Sequence, residues 1–278
     1  MGAVFMRLLA IGDNVVDFYQ DQGIIYPGGN ALNVAVLAKR YGLTHSSYMG
    51  ILGSDASAAH VKHVLEQEQI DTTRIRQAFG PNGEAVVSLN EEGDRIFVRS
   101  NKGGVQALLG INLNADDEAY IASHDLLHTS VYSRLEHHLP ELSQKIPVSF
   151  DFSTRRDSAY LEKVCPYLTY AFFSGSDLSK EQCLELSETA LEYGTKVVGV
   201  TRGSQGALFF DQQRAYEQSV IPTEVIDTLG AGDSFIAMFL TQYHQHQRME
   251  EALLRAAEAA AETCKVYGAF GYGVPKDI

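Results

Sequence analysis

The residues best placed to do chemistry form one short run in the C-terminal part of the chain. Gly230, Ala231 and Gly232 precede Asp233, and an apolar segment with helical periodicity begins at Ile236. Small residues at a helix start leave main-chain N–H groups available to an anion, and the helix dipole adds positive charge there. A carboxylate in the first turn is favoured in its ionised form and can accept a proton from a hydroxyl. The run predicts an anion site with a base beside it, although a glycine-rich loop with an aspartate N-cap would contain the same residues.

Two segments together resemble the signatures of one enzyme family. The string from Asp227 to Phe235 is similar to the C-terminal signature of the ribokinase-like, PfkB-type carbohydrate kinases, and the segment from Pro27 to Ala35 resembles that family's Gly-Gly-x-x-x-Asn sugar-binding segment. The two segments occur in the expected order. The resemblance implies transfer of a phosphoryl group from ATP, with Mg²⁺, to a sugar hydroxyl, with Gly230, Ala231, Gly232 and Asp233 as the catalytic turn.

The N-terminal signature implies a sugar site. The predicted contacts are Asp13, Asp17, Gly28, Gly29, Asn30 and Asn33. Asp17 matches the family's sugar-binding aspartate, and the two glycines would let the backbone approach a ligand closely because no side chain intervenes. A Gly-Gly turn followed by an asparagine N-cap would explain the same residues without a ligand.

The resemblance also places the nucleotide. The predicted contacts to ATP are Thr201, Gly203, Ser204, Gly206 and Thr228. A simple turn between two strands would have a similar composition over residues 200–207. The chain has neither Gly-x-x-x-x-Gly-Lys-Ser/Thr nor a usable Gly-x-Gly-x-x-Gly, so a P-loop and a Rossmann dehydrogenase are both disfavoured.

One departure from the family pattern concerns the metal. The segment from Ser174 to Asp177 stands where the family has Asn-x-x-Glu. The last position therefore still has an acidic residue, whereas serine stands in place of the asparagine at the first position. Asp177 is predicted to hold Mg²⁺ through water. The resemblance also allows a monovalent cation beside Asp227.

The elements that must position these residues follow an alternating pattern. Apolar runs alternate with helical segments, which predicts an α/β fold with a mainly parallel sheet, helices on both faces and one domain over residues 1–278. The predicted strands are Leu8–Ile11, Leu126–His128, Val148–Phe150, Tyr170–Phe173, Val197–Val200 and Ala207–Phe210, and the predicted helices include Asn30–Tyr41, Ala56–Gln69 and Met249–Val266. Segments near 15–26 and 84–100, with a turn at Glu91–Asp94, read instead as β ribbons. In the family such ribbons form a lid over the sugar and often a homodimer surface.

Composition excludes several classes of protein. The 278 residues carry a net charge of −13, which argues against nucleic acid or an anionic membrane as partner. Three cysteines are too few for a disulfide framework, and no apolar run approaches a membrane span, so a cytoplasmic location is expected. His128 is interpreted as a structural histidine that could reach the sugar pocket.

Further segments, residues 11–17, 26–36, 125–130, 150–153 and 267–270, are similar to one branch of the family. That branch is the bacterial fructoselysine (fructosamine) 6-kinases. This implies a fructosyl-amino acid as substrate, whose protonated amine could pair with Asp13, Asp17 or Asp151 and whose carboxylate could meet Arg99. A kinase for a plain ketose, ribose or 2-keto-3-deoxygluconate would share every motif. A catalytically silent sugar-binding sensor is a further alternative, which the intact Asp233 disfavours.

Overall fold

The computed structural model describes residues 4–89 and 95–276. The strands are β1 (Val4–Ile11), β2 (Val15–Tyr19), β3 (Ile24–Gly28), β4 (Leu43–Met49), β5 (Ile51–Leu52), β6 (Arg76–Gln77), β7 (Gly83–Leu89), β8 (Arg95–Ser100), β9 (Leu126–Ser130), β10 (Val148–Asp151), β11 (Tyr170–Ser174), β12 (Val197–Thr201), β13 (Ala207–Asp211), β14 (Ala215–Gln218) and β15 (Val274–Pro275). The helices are α1 (Asn30–Arg40), α2 (Ala56–Gln67), α3 (Gly104–Leu109), α4 (Ala115–Ile121), α5 (Leu139–Leu142), α6 (Ser158–Val164), α7 (Lys180–Glu192), α8 (Ala231–His246) and α9 (Met249–Thr263).

The main sheet has eight strands in the order β14-β13-β12-β11-β10-β9-β1-β4. In this order, all neighbouring strands between β12 and β4 pair in parallel. Strands β13 and β14 pair antiparallel and lie at one edge of the sheet. Successive side chains of a strand point to opposite faces. Accordingly Leu8 and Ala10 join a core that includes residues of α1, α8 and α9, while Leu9 and Ile11 join a core that includes residues of α5, α6 and α7. The predicted α/β fold with helices on both faces is confirmed.

Helix α1 is buried for most of its length. Residues 30–38 are all buried, and the helix contacts β1, β4 and α8. Its alanines and valines are small enough to fit between the sheet and a second helix. Asn30 and Asn33 are one turn apart and therefore share a face of the helix, which makes α1 the support of two predicted site residues.

Strand β4 was missing from the predicted strands. Its apolar pattern is interrupted by Thr44, Ser46 and Ser47, but both serines are buried and bonded. Ser46 Oγ donates to the carbonyl of Ala35 at 2.6 Å, and Ser47 Oγ lies 2.8 Å from Nε2 of His124. Hydrogen bonding thus lets polar residues occupy buried positions of this edge strand, which periodicity alone does not reveal.

A second sheet of five strands has the order β15-β3-β2-β7-β8. It contains the segments near 15–26 and 84–100, which the sequence predicts to be β ribbons. It also contains the short C-terminal strand β15, which was not predicted. Strand β2 pairs antiparallel with β3 and parallel with β7. The predicted turn at Glu91–Asp94 lies outside the described residues. No helix in the described ranges is both long enough and apolar enough to span a bilayer.

Candidate active site

The candidate site lies at the carboxyl ends of the parallel strands. Registers between neighbours place Ser130 beside Asp151, and Ser174 beside Thr201, along one edge of the main sheet. Ligands of open α/β sheets bind at this edge. A cavity of ≈ 870 Å³ lies here, and residues from both sheets line it.

Asp233 projects into this cavity from the first turn of α8. Its Oδ2 accepts a hydrogen bond from Nδ2 of Asn33 at 2.6 Å, and its Oδ1 accepts one from Nδ2 of Asn30 at 2.7 Å. Gly230 has φ 75° and lies against Ala269, so a Cβ at this position would overlap that residue. The structure therefore brings together Asp233, Asn30 and Asn33. The two asparagines, predicted as sugar contacts, here hold the carboxylate.

Gly232 leaves open space beside Asp233. Apart from its chain neighbours and the backbone of α8, no heavy atom lies within 4 Å of the position that a Cβ at Gly232 would occupy, and Gly232 lines the cavity together with Thr228 and Gly230. The first-turn N–H groups of a helix have no partner within the helix. The turn can therefore present backbone donors to an anion, as the sequence predicted.

The side chain of Asn30 connects three polar groups. Its Nδ2 donates to Oδ2 of Asp151 at 2.8 Å as well as to Asp233, and its Oδ1 lies 3.0 Å from Nε2 of His128. His128 is completely buried, and burial lowers its pKa to about 3, so the ring is neutral. Ser149 Oγ lies 2.9 Å from Nδ1. Because an amide oxygen can only accept, His128 Nε2 must be the donor, and this orients the Asn30 amide toward the carboxylates.

Asp151 is a second carboxyl group next to Asp233. Burial, then the charge of Asp233, raises the pKa of Asp151 to about 7, with Asp13 adding to the rise and the N–H of Ser153 opposing it. The sequence suggested Asp151 only as a partner for the substrate amine. Its position beside the predicted base indicates instead a role at the reacting end of the cavity. The sequence feature that could have predicted this position is the place of Asp151 at the end of the buried strand β10.

Asp13 lines the cavity but is strongly engaged by the protein. It accepts hydrogen bonds from the backbone N–H groups of Asn30 at 2.7 Å and Ala31 at 3.4 Å. The hydroxyls of Ser130 and Ser133 donate to it at 2.8 and 3.1 Å. Asp13 thus caps α1, which has no cap from its own N-cap residue. The contact of Asp13 with a sugar remains a prediction. The hydrogen bonds that Asp13 makes in the structure stabilise the fold.

Asp17 belongs to β2 of the second sheet. It is 7% exposed and lines the cavity, and its Oδ2 occupies the space where a Cβ on Gly28 would stand. Gly29 has φ 107°, and a Cβ there would come within 2.7 Å of the carbonyl oxygen of Asp13. The Gly-Gly pair therefore allows the close approach of two backbone segments, residues 13–17 and 28–29, beside the cavity.

The predicted nucleotide residues divide into two groups. Thr228 lines the cavity with Asp233, whereas Thr201 and Gly203–Gln205 lie farther along the same sheet edge, at the end of β12. Gly206 has φ 85° and lies against the carbonyl of Gln218, where a side chain would overlap it. Thr201, Gly203, Ser204 and Gly206 are not among the residues that line the cavity.

Asp177 and Arg99 do not lie in the cavity either. Asp177 accepts two hydrogen bonds from Arg156, at 2.8 and 3.0 Å, and that guanidinium lowers the pKa of Asp177. Arg99 is exposed and pairs with Val86 in the second sheet, while Phe97, Ser100 and Lys102 line the cavity. Within residues 4–89 and 95–276, no group of three His, Cys, Asp or Glu side chains is suited to hold a metal.

Asp227 is hydrogen-bonded both to β2 of the second sheet and to Leu229, which directly precedes the Gly230–Asp233 turn. It is buried, accepts a hydrogen bond from the hydroxyl of Tyr19, and accepts the N–H groups of Gly268 and Leu229, each at 2.9 Å. The suggested monovalent cation beside Asp227 stays a prediction.

The sequence of the chain is similar to the sequences of known carbohydrate kinases. The profile of the pfkB family carbohydrate kinases matches residues 2–276. The chain is 61% identical over 270 residues to the fructosamine kinase FrlD of Bacillus subtilis, covering 97% of this chain and 95% of that one. It is 32% identical over 268 residues to a fructoselysine 6-kinase of Escherichia coli, covering 95% and 100%.

Solved structures show the same fold. The ribokinase of Arabidopsis thaliana, complexed with ribose and ATP, aligns with a TM-score of 0.81 at 20% identity, covering 96% of this chain and 95% of that chain. A ribokinase of Thermotoga maritima aligns with a TM-score of 0.77 at 22% identity, covering 96% and 95%. Because the family profile spans nearly the whole sequence and the relative from Bacillus subtilis is 61% identical, the chain belongs to the pfkB family of carbohydrate kinases.

Proposed function

We propose that this protein transfers the γ-phosphoryl group of ATP to the 6-hydroxyl of a fructosyl-amino acid of the fructoselysine type. The observation that carries the proposal is the position of Asp233, held by Asn30 and Asn33 at the N-terminus of α8 in a cavity closed by the second sheet. The relatives, a fructosamine kinase and fructoselysine 6-kinases, suggest the substrate class.

Asp233 acts as the general base. The 6-hydroxyl donates to its carboxylate, the hydroxyl oxygen forms a bond to the γ-phosphorus, and the bond from that phosphorus to the β,γ-bridging oxygen breaks, releasing ADP. The proton passes to Asp233. The N–H groups at Gly230–Gly232 offset the charge that develops on the phosphoryl oxygens. Because Asn30 and Asn33 each donate to one oxygen of Asp233, the carboxylate is already oriented when substrate arrives.

The nucleotide would lie along the sheet edge from Thr228 to the end of β12. In this proposal Thr201, Gly203, Ser204 and Gly206 contact ATP beyond the cavity, while Thr228 contacts the phosphates. Mg²⁺, when bound, neutralises charge on the phosphates. The pairing of Asp177 with Arg156 argues that the ion is held mainly by the nucleotide, with the carboxylate reaching it only through water.

The second sheet would act as a lid and as a dimer surface. Its residues Val15, Ala85 and Val87 line the cavity. Phe97 is 64% exposed and Val98 is 46% exposed, which leaves apolar surface on β8 for a second copy of the chain.

Substrate specificity is tested by ADP release against fructoselysine, fructoseglycine, fructose, ribose and 2-keto-3-deoxygluconate, with phosphorus NMR to locate the added phosphate. The proposal predicts turnover of at least one fructosyl-amino acid and phosphate on the 6-oxygen. Activity confined to the plain sugars would replace the substrate class. Sugar binding without any ADP release would favour a sensor.

A further inference from the structure

The charged residues around the cavity are strongly asymmetric. Five carboxyl groups line it, and among the described lining residues only Lys102 and Arg134 carry positive charge. The carboxyl groups are Asp13, Asp17, Glu84, Asp151 and Asp233. In the described part of the chain neither cation forms an ion pair with a carboxylate. Apart from the backbone N–H groups at the Gly230–Gly232 turn, these two side chains are therefore the groups of the described lining that would attract an anionic part of a ligand.

Both cations are attached to the short helix α3. Lys102 precedes the helix, and Nη1 of Arg134 donates to the carbonyl of Ala107 at 2.9 Å. The helix is itself anchored to the protein body, because Oε1 of Gln106 accepts the N–H of Ile51 at 2.7 Å. One cation thus precedes α3 in the chain, and the other, from the loop after β9, is hydrogen-bonded to α3.

The backbone at both positions is unusual. Lys102 has φ 61° and Arg134 has φ 57°, which is the left-handed region that residues other than glycine rarely adopt. A third such residue, Ser153, also lines the cavity. Strained backbone of this kind is concentrated at ligand sites, where it aims side chains.

We infer that Lys102 and Arg134 bind the carboxylate of the amino acid in the substrate. This inference rests on the proposed function. The 6-hydroxyl is at Asp233, so the amino group on the first carbon, and the carboxylate beyond it, point away from the catalytic turn. A guanidinium can bind a carboxylate through two parallel hydrogen bonds, and an ammonium adds a point charge. The assignment replaces Arg99, which lies outside the cavity lining.

The test compares two substrates that differ only in the carboxylate. Fructosyl-glycine and 1-deoxy-1-(methylamino)fructose are given to the wild-type protein and to the variants Lys102→Gln, Arg134→Gln and Arg134→Glu. Each Gln variant is expected to lower kcat/KM for fructosyl-glycine by about 10-fold and to change kcat/KM for the methylamine compound by less than about 2-fold. Arg134→Glu should make the methylamine compound the better substrate. Lys196→Ala, an exposed cation at the start of β12, is the charge-matched control.

The outcomes separate the two proposals. If the wild type turns over neither compound and not fructoselysine either, the proposed function itself is overturned; turnover of fructoselysine alone would leave the function standing and overturn the carboxylate site inferred for fructosyl-glycine. Equal turnover of both would leave the function standing and overturn the carboxylate site. A preference for fructosyl-glycine that survives both Gln substitutions, or is lost only in Arg99→Ala, would also overturn the assignment. The methylamine compound reports in each variant that the catalytic turn is still folded.

Discussion

Asn30 donates from Nδ2 to Oδ1 of Asp233 at 2.7 Å, joining the first turn of α1 to the first turn of α8 across the candidate active site. The same nitrogen donates to Asp151. The orientation of one amide therefore determines how two carboxyl groups face the cavity, and His128 determines the orientation of that amide.

Loss of the His128 bond should weaken catalysis although His128 does not line the cavity. We expect His128→Leu to lower kcat on the order of 10-fold with little change in KM, because Asn30 would no longer be held toward Asp233. Steady-state kinetics on the preferred substrate measures both constants.

His128→Gln provides the matched control. Its amide can donate to Asn30 and accept from Ser149, so kcat should recover most of the loss. If the Gln and Leu variants lose kcat equally while both remain folded by circular dichroism, the histidine acts through packing and the positioning role is wrong.

Asp151 should make stability depend on pH. Its pKa is raised to about 7 in the folded protein, above the ordinary value of 3.8, so the folded state keeps a proton that the unfolded state releases between these values. The stabilisation is fully present below about pH 4 and is lost as the pH rises through about 7. Denaturant unfolding from pH 4 to 8 should therefore show wild-type stability falling relative to Asp151→Asn. Parallel pH profiles for the two proteins would contradict the buried, protonated carboxyl.

Gly232 and Gly230 should respond differently to alanine. At Gly232 a Cβ meets no protein atom, so Gly232→Ala should keep or slightly raise Tm, because alanine favours a helix, yet lower kcat/KM for ATP about 10-fold by filling the anion space.

Gly230→Ala should instead cost stability, about 1–3 kcal/mol, since it combines a positive φ with overlap against Ala269. Thermal unfolding and ATP titrations separate the two effects. Full activity in Gly232→Ala would show that no phosphate approaches this turn.

The sequence predicted the fold and the helix start at Gly230–Asp233 because both depend on local patterns. Alternating apolar runs indicated the parallel strands, and the spacing of Gly230 to Asp233 indicated a helix start. It could not predict that Asn30 and Asn33 hold Asp233, since that contact joins residues 200 or more positions apart. Nor could it show that Arg156 engages Asp177, or that the cavity takes its positive charge from Lys102 and Arg134 rather than Arg99. Such pairings are set by the folded chain and not by spacing.

The most direct test of the central claim is the turnover of Asp233→Asn, with substrate binding measured separately by calorimetry. Asparagine keeps the shape of the side chain but cannot accept the proton, so we expect kcat to fall about 100-fold or more while the sugar still binds. Asp116→Asn, an exposed acid at the start of α4, should retain wild-type turnover. Near-normal turnover of Asp233→Asn would contradict the assignment of Asp233 as the base.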